Sequence, residues 1–545
     1  MAHSLKVHSA IARALADNGV TTMFGVIGDA NLYMVDSFVR EHGGAFVSAS
    51  NEAGAAVMAL GYANVSGELG VATVTHGPAL TNTLTGLVEG VKGQIAMLLV
   101  CGDTAVEDRD GLQNVPQREL IIATGAGFEQ LRTPATLSQD VAMAIRRAIT
   151  ERRPIALNVP TDYQWLDTDY QPVIVRLAEA RGLAPEGADL DNAIGIIAAA
   201  RRPIIVAGRG ATGDAARAAI LRLARRIQAP VATTLKGKDL FRGENCNLGV
   251  FGTLSTPVAV EAILEADCII AFGASLNRFT TSAGTYLAGK RTIQCNAEAA
   301  EIGKYVMPDA GLVGDPALMA DHLVHWLDEA EAGTSGFASP ALDARLRAYS
   351  PADGIDDLST ARTIDLRKAI LWLNDAVPQD RLLVTDGGRF LGAPWQLVNV
   401  RHPRSFVYTI HFGAIGLGMA YAIGAAVAAP GRPVLLVTGD GGFMLGGLAE
   451  FNTAVRHKLD LVVAVCNDSS YGAEHIQFRR KNMDPGLSVF EWPDFASVAD
   501  ALGGQGVTVR TAADLDAAAR AIAARGRPLL IDLKLDPDHV APIPL

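Results

Sequence analysis

Short apolar runs alternate with segments of helical spacing along the whole chain. Runs of this length are typical of strands buried in parallel sheets, and apolar residues three and four positions apart indicate amphipathic helices. The predicted strands comprise residues 22–26, 45–48, 70–74, 95–101, 203–207, 230–235, 382–384, 434–437 and 461–466. This alternation predicts an α/β protein with doubly wound parallel sheets.

Two polar stretches divide the chain into three parts. Residues 161–187 and 330–356 contain Pro, Gly and many polar residues, so we expect linkers there. A chain of 545 residues is long enough for three or four domains, each with its own core. We therefore predict three doubly wound domains, at residues 1–165, 188–335 and 357–545.

The composition narrows the range of partners. The net charge is −11 and Lys and Arg form no dense run, so nothing favours binding to nucleic acid or to an anionic membrane. The five cysteines are scattered without a CxxC spacing, which indicates reduced core residues. The first residues do not resemble a signal peptide, so we expect a cytoplasmic protein. Small molecules and further copies of the chain are the expected partners.

Residues 412–429 form an uncharged apolar stretch that is long enough for a membrane span. The glycines within it and Pro430 after it favour another interpretation. We expect a helix buried between layers of protein.

Residues 432–472 carry the clearest chemical pattern. The predicted strand 434–437 leads into Gly439-Asp440-Gly441-Gly442 and then into helical spacing, and free amides at such a helix start bind phosphate. The next strand ends at Asn467, and neighbouring parallel strands end at the same edge of a sheet. Asp440 and Asn467 are therefore predicted to converge as ligands for Mg²⁺ or Ca²⁺. The alternative is a buried αβ unit whose glycines serve packing.

This stretch resembles the diphosphate-binding signature of thiamine diphosphate enzymes, in which GDG is followed by paired Asn residues. Here Cys466 takes the first place of the pair and Asn467 the second. The resemblance implies thiamine diphosphate as cofactor, with Mg²⁺ held by Asp440, Asn467 and the main-chain carbonyl of Ser469. The cofactor would also contact five residues of this region: Gly439, Gly441, Gly442, Tyr471 and Gly472.

Residues 50–63, SNEAGAAVMALGYA, place Glu52 at the start of a helix made of small residues. This segment resembles the pyrimidine-binding domain of the superfamily that contains pyruvate decarboxylase, benzoylformate decarboxylase and acetolactate synthase. The resemblance makes Glu52 a catalytic and cofactor-binding residue, which shares a proton with N1′ of the aminopyrimidine. A carboxyl group held away from water suits that role. A surface Glu favoured by the helix dipole is the alternative.

Four further candidates for catalysis follow from the same resemblance. His76 lies in residues 75–82, which resemble the TSGPGATN turn of the family, and Gln113 falls where relatives carry a Gln beside the substrate. Asp29 and Glu474 match an active-site Asp and Glu of pyruvate and indolepyruvate decarboxylases. Two such acids at one intermediate would separate their pKa values into a donor and a base.

The roles of His76 and His475 are left open by the sequence. The paired histidines of those decarboxylases have no counterpart in residues 102–111, and His76 and His475 are the candidates to replace them. A lone His is otherwise more often structural.

Residues 411–418, HFGAIGLG, resemble the GLGTMGFG segment of the family. In that comparison Gly413 offers its carbonyl to the 4′-amine of the cofactor. Ile415 is the apolar wedge that bends the cofactor, because only a bent cofactor brings its 4′-nitrogen to C2. Ile415 as an ordinary core residue is the alternative.

The central part contains a formal GxGxxG at residues 208–213, which raises the possibility of a nicotinamide oxidoreductase. The next predicted strand, however, ends in Thr-Leu-Lys rather than in the acid that would bind a ribose hydroxyl. The region resembles the central domain of the same superfamily. In some branches this domain carries FAD or ADP, and in others it is empty. FAD or ADP is therefore possible here, but nothing in the sequence supports either.

The resemblance covers nearly the whole chain, in the order pyrimidine-binding, central and diphosphate-binding domain. It implies a thiamine diphosphate- and Mg²⁺-dependent lyase or transferase that decarboxylates a 2-oxo acid, or joins the product to a carbonyl acceptor. In this family two subunits share each site, so a homodimer or homotetramer is expected.

Two alternatives concern the activity itself. The RFDDR motif of acetolactate synthase aligns with residues 278–282, RFTTS, which lack the second Arg expected to hold the acceptor's carboxylate. We therefore favour a decarboxylase or a carboligase with a neutral acceptor. A catalytically silent regulatory paralogue is the other alternative, and the presence of Glu52, Asp440 and Asn467 argues against it.

Overall fold

Three six-stranded sheets, all with parallel neighbours, follow one another along the chain in the computed structural model, which describes residues 3–108, 110–178 and 182–540. Each sheet is covered by helices on both faces. The fold prediction of three doubly wound α/β domains is confirmed. Most predicted strands match the observed ones to within two residues at each end.

The first sheet has the strand order β3-β2-β4-β5-β7-β6, and β1 pairs with β8 in a separate antiparallel ribbon. Its central strands are buried on both faces, which explains their continuous apolar sequences. The strands are β1 His3–Lys6, β2 Thr22–Gly25, β3 Ala45–Ser48, β4 Gly70–Val74, β5 Met97–Asp103, β6 Gly127–Gln130, β7 Pro154–Pro160 and β8 Asp167–Tyr170. The helices are α1 Val7–Asp17, α2 Leu32–Arg40, α3 Glu52–Ser66, α4 Pro78–Asn82, α5 Leu84–Gly93, α6 Gln117–Ala123 and α7 Leu137–Glu151.

The second sheet has the order β11-β10-β9-β12-β13-β14. Its strands are β9 Pro203–Ala207, β10 Val231–Thr233, β11 Asn247–Val250, β12 Cys268–Phe272, β13 Arg291–Asn296 and β14 Ala310–Val313. Its helices are α8 Ala188–Ala199, α9 Asp214–Ile227, α10 Pro257–Glu265, α11 Pro316–Glu329 and α12 Pro340–Ala348.

Helix α12 lies inside the second expected linker. Its start carries ordinary helix signals, because the Ser339 hydroxyl accepts the amide of Leu342 and Pro340 occupies the first turn. Leu342 packs into the core of the central domain. The composition of this stretch concealed a short helix that belongs to that domain.

The third sheet has the order β16-β15-β17-β18-β20-β19. Its strands are β15 Leu382–Thr385, β16 Phe406–Tyr408, β17 Val434–Gly439, β18 Leu461–Asn467, β19 Gln505–Val509 and β20 Leu529–Lys534. Its helices are α13 Leu366–Ala376, α14 Gly392–Leu397, α15 Gly418–Ala428, α16 Asp440–Gly442, α17 Leu448–Arg456, α18 Gly472–Arg480, α19 Phe495–Ala501 and α20 Leu515–Ala524. A π-helical turn, Phe443–Gly447, joins α16 to α17.

Helices α3 and α15 bring the first and third domains together. Both are buried nearly all round, and their glycines allow close approach. A methyl group at Gly61 would overlap with the main chain of Tyr421, and one at Gly424 would overlap with that of Met58. The uncharged stretch 412–429 is therefore largely a helix between protein layers. Within the described residues, no helix is both long and apolar enough to cross a bilayer.

Candidate functional site

The candidate diphosphate site lies at the carboxyl edge of the third sheet. The chain order reverses between β15 and β17, since β16 lies on one side of β15 and β18 on the far side of β17. Such switch points open a crevice in which α/β proteins bind ligands. Asp386 follows β15 and Asp440 follows β17, so both acids lie at this crevice.

The glycines after β17 allow close approach around the start of α16. A methyl group on Gly441 would overlap with the ring of Tyr471, and one on Gly442 would lie 2.8 Å from Oδ2 of Asp386. The helix continues through the π-helical turn into α17, so its positive end faces the crevice. The glycines therefore allow close packing at this turn, and Asp440, Gly441 and Gly442 are themselves buried.

Two buried carboxylates meet beside the helix start. Asp440 is 2% exposed and Asp468 is 8% exposed. The Ser470 amide donates to Oδ2 of Asp440 at 3.1 Å and to Oδ1 of Asp468 at 3.0 Å, and the indole of Trp492 donates to Asp440 at 2.9 Å. Burial, together with the charge of Asp468, raises the pKa of Asp440 to about 7. Burial also raises the pKa of Asp468. A divalent cation would offset this repulsion.

The side chain of Asn467 points away from Asp440. Its Nδ2 donates to Asp532 at 2.8 Å, and its Oδ1 accepts the amide of Ser469 at 3.2 Å. Side chains alternate along a strand, and Asn467 shares a face of β18 with Val465. Asp468 follows the last strand residue and turns toward Asp440. The structure therefore brings Asp440 together with Asp468 rather than with the amide of Asn467.

The carbonyls of this turn differ in their partners. The carbonyl of Ser469 accepts the amide of Phe490 at 2.8 Å. No main-chain amide of the described residues donates to the carbonyl of Ser470.

Helix α18 begins at Gly472, where a side chain would meet Oδ2 of Asp468 at 2.7 Å. Glu474 is exposed on the first turn of this helix. His475 is only 2% exposed, and its Nε2 lies 2.9 Å from Asp538 of the C-terminal segment. Glu474 is thus exposed near the site, while His475 contacts the segment that follows β20.

Gly413 and Ile415 lie in a loop beside the same crevice. Gly413 is exposed with a φ of 85°, a left-handed conformation that glycine adopts easily. Ile415 packs against the main chain at Gly387, which places it over the end of β15.

A second group of candidates lies at the carboxyl edge of the first sheet. The hydroxyl of Thr75 donates to Asp29 at 2.6 Å and lies 3.3 Å from Nδ1 of His76. A methyl group on Gly77 would overlap with the carbonyl of Gln113. The structure therefore brings Asp29, His76 and Gln113 to one edge.

Glu52 is the first residue of α3 and is half-buried. Asn51 caps this helix by accepting the amide of Ala53. Asn82, which ends α4, donates its Nδ2 to Oε2 of Glu52 at 2.9 Å and so fixes the carboxylate.

The two groups belong to different sheets. Across residues 3–108, 110–178 and 182–540, no hydrogen bond joins Asp29, Glu52, His76 or Gln113 to the loop 411–416 or to residues 439–475.

The glycines of the formal GxGxxG bring two loops of the central domain together. Side chains on Gly208 and Gly210 would collide with the main chain at Gly273 and Ala274, which follow β12. Packing between the loops after β9 and β12 accounts for these glycines.

Four polar residues of the site were not predicted from the sequence. The first, Asp386, lies two residues after the predicted strand 382–384. Asp468 had a signal, since it directly follows Asn467. Glu89, which contacts the loop 411–416, is a single acid among the glycines and apolar residues of α5. Trp492 carries no local signal, because it reaches Asp440 from a distant loop.

Comparison with known proteins agrees with this arrangement. Models of three domains match the chain: the N-terminal TPP binding domain of thiamine pyrophosphate enzymes at residues 5–124, their central domain at residues 190–323, and their C-terminal TPP binding domain at residues 386–533. Together the three matches span most of the chain.

Several curated proteins are similar over nearly their whole length. A probable acetolactate synthase large subunit of Methanocaldococcus jannaschii is 26% identical over 99% of this chain and 93% of its own. A sulfoacetaldehyde acetyltransferase of Alcaligenes xylosoxydans xylosoxydans is 27% identical over 93% of this chain and 88% of its own. The acetolactate synthase isozyme 2 large subunit of Escherichia coli is 26% identical over 96% and 95%.

Proposed function

Since this chain belongs to the thiamine pyrophosphate enzyme family, we propose that it decarboxylates a 2-oxo acid without oxidation and releases the acyl unit as an aldehyde or joins it to a carbonyl acceptor. The main support is the pair of buried carboxylates, Asp440 and Asp468, at a helix start on a sheet switch point. When bound, thiamine diphosphate supplies a thiazolium ring that attacks the 2-oxo acid and accepts the electrons left by CO2.

The residues at this edge fit a diphosphate with a divalent cation. The positive end of the helix suits the diphosphate, and the carboxylates of Asp440 and Asp468 are hard oxygen ligands for Mg²⁺. The main-chain carbonyl of Ser470 is the third protein ligand that we assign, because the carbonyl of Ser469 is already hydrogen-bonded. The described residues contain no cluster of three His, Cys, Asp or Glu that could hold a metal, so phosphate and water oxygens would complete the shell.

Glu52 would hold the proton at N1′ of the aminopyrimidine. The hydrogen bond from Asn82 fixes the carboxylate of Glu52 for this transfer. Gly413, whose surroundings are open, would present its carbonyl to the 4′-amine, and Ile415 would support the bend of the cofactor. Asp29, His76, Gln113 and Glu474 would contact the substrate.

A homodimer would complete the site, with the Glu52 edge of one chain facing the Asp440 edge of the other; two such dimers would form a tetramer. Apolar side chains are exposed beside both edges, among them Ile27 and Leu112 on one and Phe412 and Leu445 on the other. Exposed apolar surface of this kind supports an interface between copies.

The acceptor is proposed to be uncharged. Thr280 and Thr281 are buried in the segment that aligns with RFDDR, and Ser282 stands where a second Arg would bind a carboxylate. Acetolactate synthase activity is the second candidate, because relatives with that name match nearly the whole chain.

Incubation of the purified protein with thiamine diphosphate, Mg²⁺ and a panel of 2-oxo acids tests this proposal. We expect aldehyde or hydroxyketone products that depend on the added cofactor. Acetolactate from pyruvate alone would favour the second candidate. Absence of thiamine diphosphate binding in calorimetry would overturn the proposal altogether.

Replacement of Glu52 by Gln tests the catalytic assignment. Turnover should fall by about 10²- to 10⁴-fold, because the proton at N1′ can no longer be shared, while calorimetric cofactor binding persists. Glu119→Gln, an exposed change on α6, serves as the control and should leave the rate unaltered. Equal rates in both variants would exclude Glu52 from the mechanism.

A further inference from the structure

A fully buried carboxylate from the first domain holds the loop 411–416 of the third. Glu89, in the second half of α5, is 0% exposed. Its Oε2 accepts the amide of Phe412 at 2.7 Å, and its Oε1 accepts the amide of His411 at 3.1 Å. Oε1 also lies 2.6 Å from Nδ1 of the His411 ring. Three donors of two consecutive residues therefore meet one side chain, directly before Gly413.

The other end of the loop is held in the same way. Oδ2 of Asp386, which is 1% exposed, accepts the amide of Gly416 at 3.0 Å and the hydroxyl of Thr438 at 3.1 Å. The loop is thus fixed between two buried acids, one from each domain. Gly413 and Ile415 lie between these anchors.

Further side chains pack around the contact between Glu89 and His411. The ring of His411 stacks on Tyr408 at 4.8 Å between centroids, and the ammonium of Lys236 lies 5.4 Å from the centre of the Tyr408 ring. Arg209 donates to the carbonyl of Gly93 at the end of α5 at 2.8 Å. Residues of all three domains therefore surround the contact, and the side chains of Lys236 and Arg209 lie near the buried acid.

Burying the carboxylate of Glu89 costs desolvation free energy, even with three donors. An apolar contact would join the two domains without this cost. We infer that Glu89 is a positioning residue, which fixes the carbonyl of Gly413 and the side chain of Ile415 against the aminopyrimidine of the cofactor. This inference rests on the proposed function for the identity of the bound ring. The contact with His411 and Phe412 is independent of it.

The variant Glu89→Gln tests the inference without turnover. Gln has one acceptor oxygen, so at least one of the three donors loses its partner. In the cofactor-free protein, hydrogen exchange of a peptide covering residues 409–417 should become at least about tenfold faster. In the loaded protein, the C2 proton of thiamine diphosphate should exchange with deuterium about 10- to 100-fold more slowly, because a misplaced loop misplaces the 4′-amine.

Two further variants keep the test decisive. His411→Leu removes the ring donor and the stack on Tyr408 but keeps both main-chain amides. It should show the same changes to a smaller extent, which covers the case that Glu89→Gln fails to fold. Glu129→Gln is the matched control, since Glu129 is a largely buried acid of the same domain that pairs with Arg147. It should leave both exchange rates as in the wild type.

The outcomes separate the two proposals. A wild-type protein that does not bind thiamine diphosphate would overturn the proposed function, while faster loop exchange in Glu89→Gln would still establish the anchor. Binding in the wild type with unchanged C2 exchange in Glu89→Gln and His411→Leu would overturn the positioning role alone.

Discussion

At the scale of single residues, the acids Asp440 and Asp468 dominate the electrostatics of the candidate site. Both are buried at one helix start, and their mutual repulsion is one cause of the raised pKa of Asp440. Replacement of Asp468 by Ala should weaken Mg²⁺ binding in the presence of thiamine diphosphate by about 10- to 100-fold. The cofactor-free variant should melt at a higher temperature, because one of two buried like charges is gone. Calorimetric Mg²⁺ titration and thermal unfolding measure these effects.

The neighbouring residue provides the control. Asn467→Ala should lower the melting temperature, because Asp532 loses a buried donor at a cost of about 1–3 kcal/mol. It should change Mg²⁺ affinity less than Asp468→Ala does. If Asn467→Ala instead causes the larger loss of Mg²⁺, the ligand is Asn467, as the sequence alone predicts.

At the scale of elements, the contact between α3 and α15 depends on two glycines. Gly424→Ala would push a methyl group into the main chain of Met58, which neither helix can avoid without moving. Such overpacking should destabilise the protein by about 1–3 kcal/mol. The comparison is Gly195→Ala in α8, where a methyl group meets no atom within 4 Å. This change should stabilise by about 0.5–1 kcal/mol through helix propensity.

Urea unfolding of both glycine variants checks this prediction. The midpoint should fall for Gly424→Ala and rise for Gly195→Ala. A rise for both would mean that the two helices separate more easily than their packing indicates.

At the scale of the whole molecule, the two halves of the candidate site lie on different sheets. If two chains share each site, Glu52→Gln and Asp440→Ala should complement each other when co-expressed. Each mixed dimer then has one intact site and one with both defects, so activity should return to about a quarter of the wild type. Each variant expressed alone should remain inactive. Activity absent from a preparation that contains mixed dimers would place both halves in one chain.

Much of the fold follows from local sequence patterns. The apolar runs that became β4, β9 and β17 are buried on both faces, and such strands need no knowledge of their neighbours to be recognised. The glycine turn at Asp440 and the helix start at Glu52 are local as well. Their positions could be predicted because a strand, a tight turn and a helix follow one another within a few residues.

The contacts that complete the candidate site were decided by tertiary structure. Side chains alternate between the faces of a strand, so a difference of one residue determines that Asp468 rather than Asn467 faces Asp440. Glu89 meets His411 across 322 positions of sequence, and Trp492 reaches Asp440 from a separate loop. The sequence by itself determined which elements form and where chemically reactive residues stand on them. Only the packed sheets decided which of those residues face one another, because that depends on distances between segments remote in the chain.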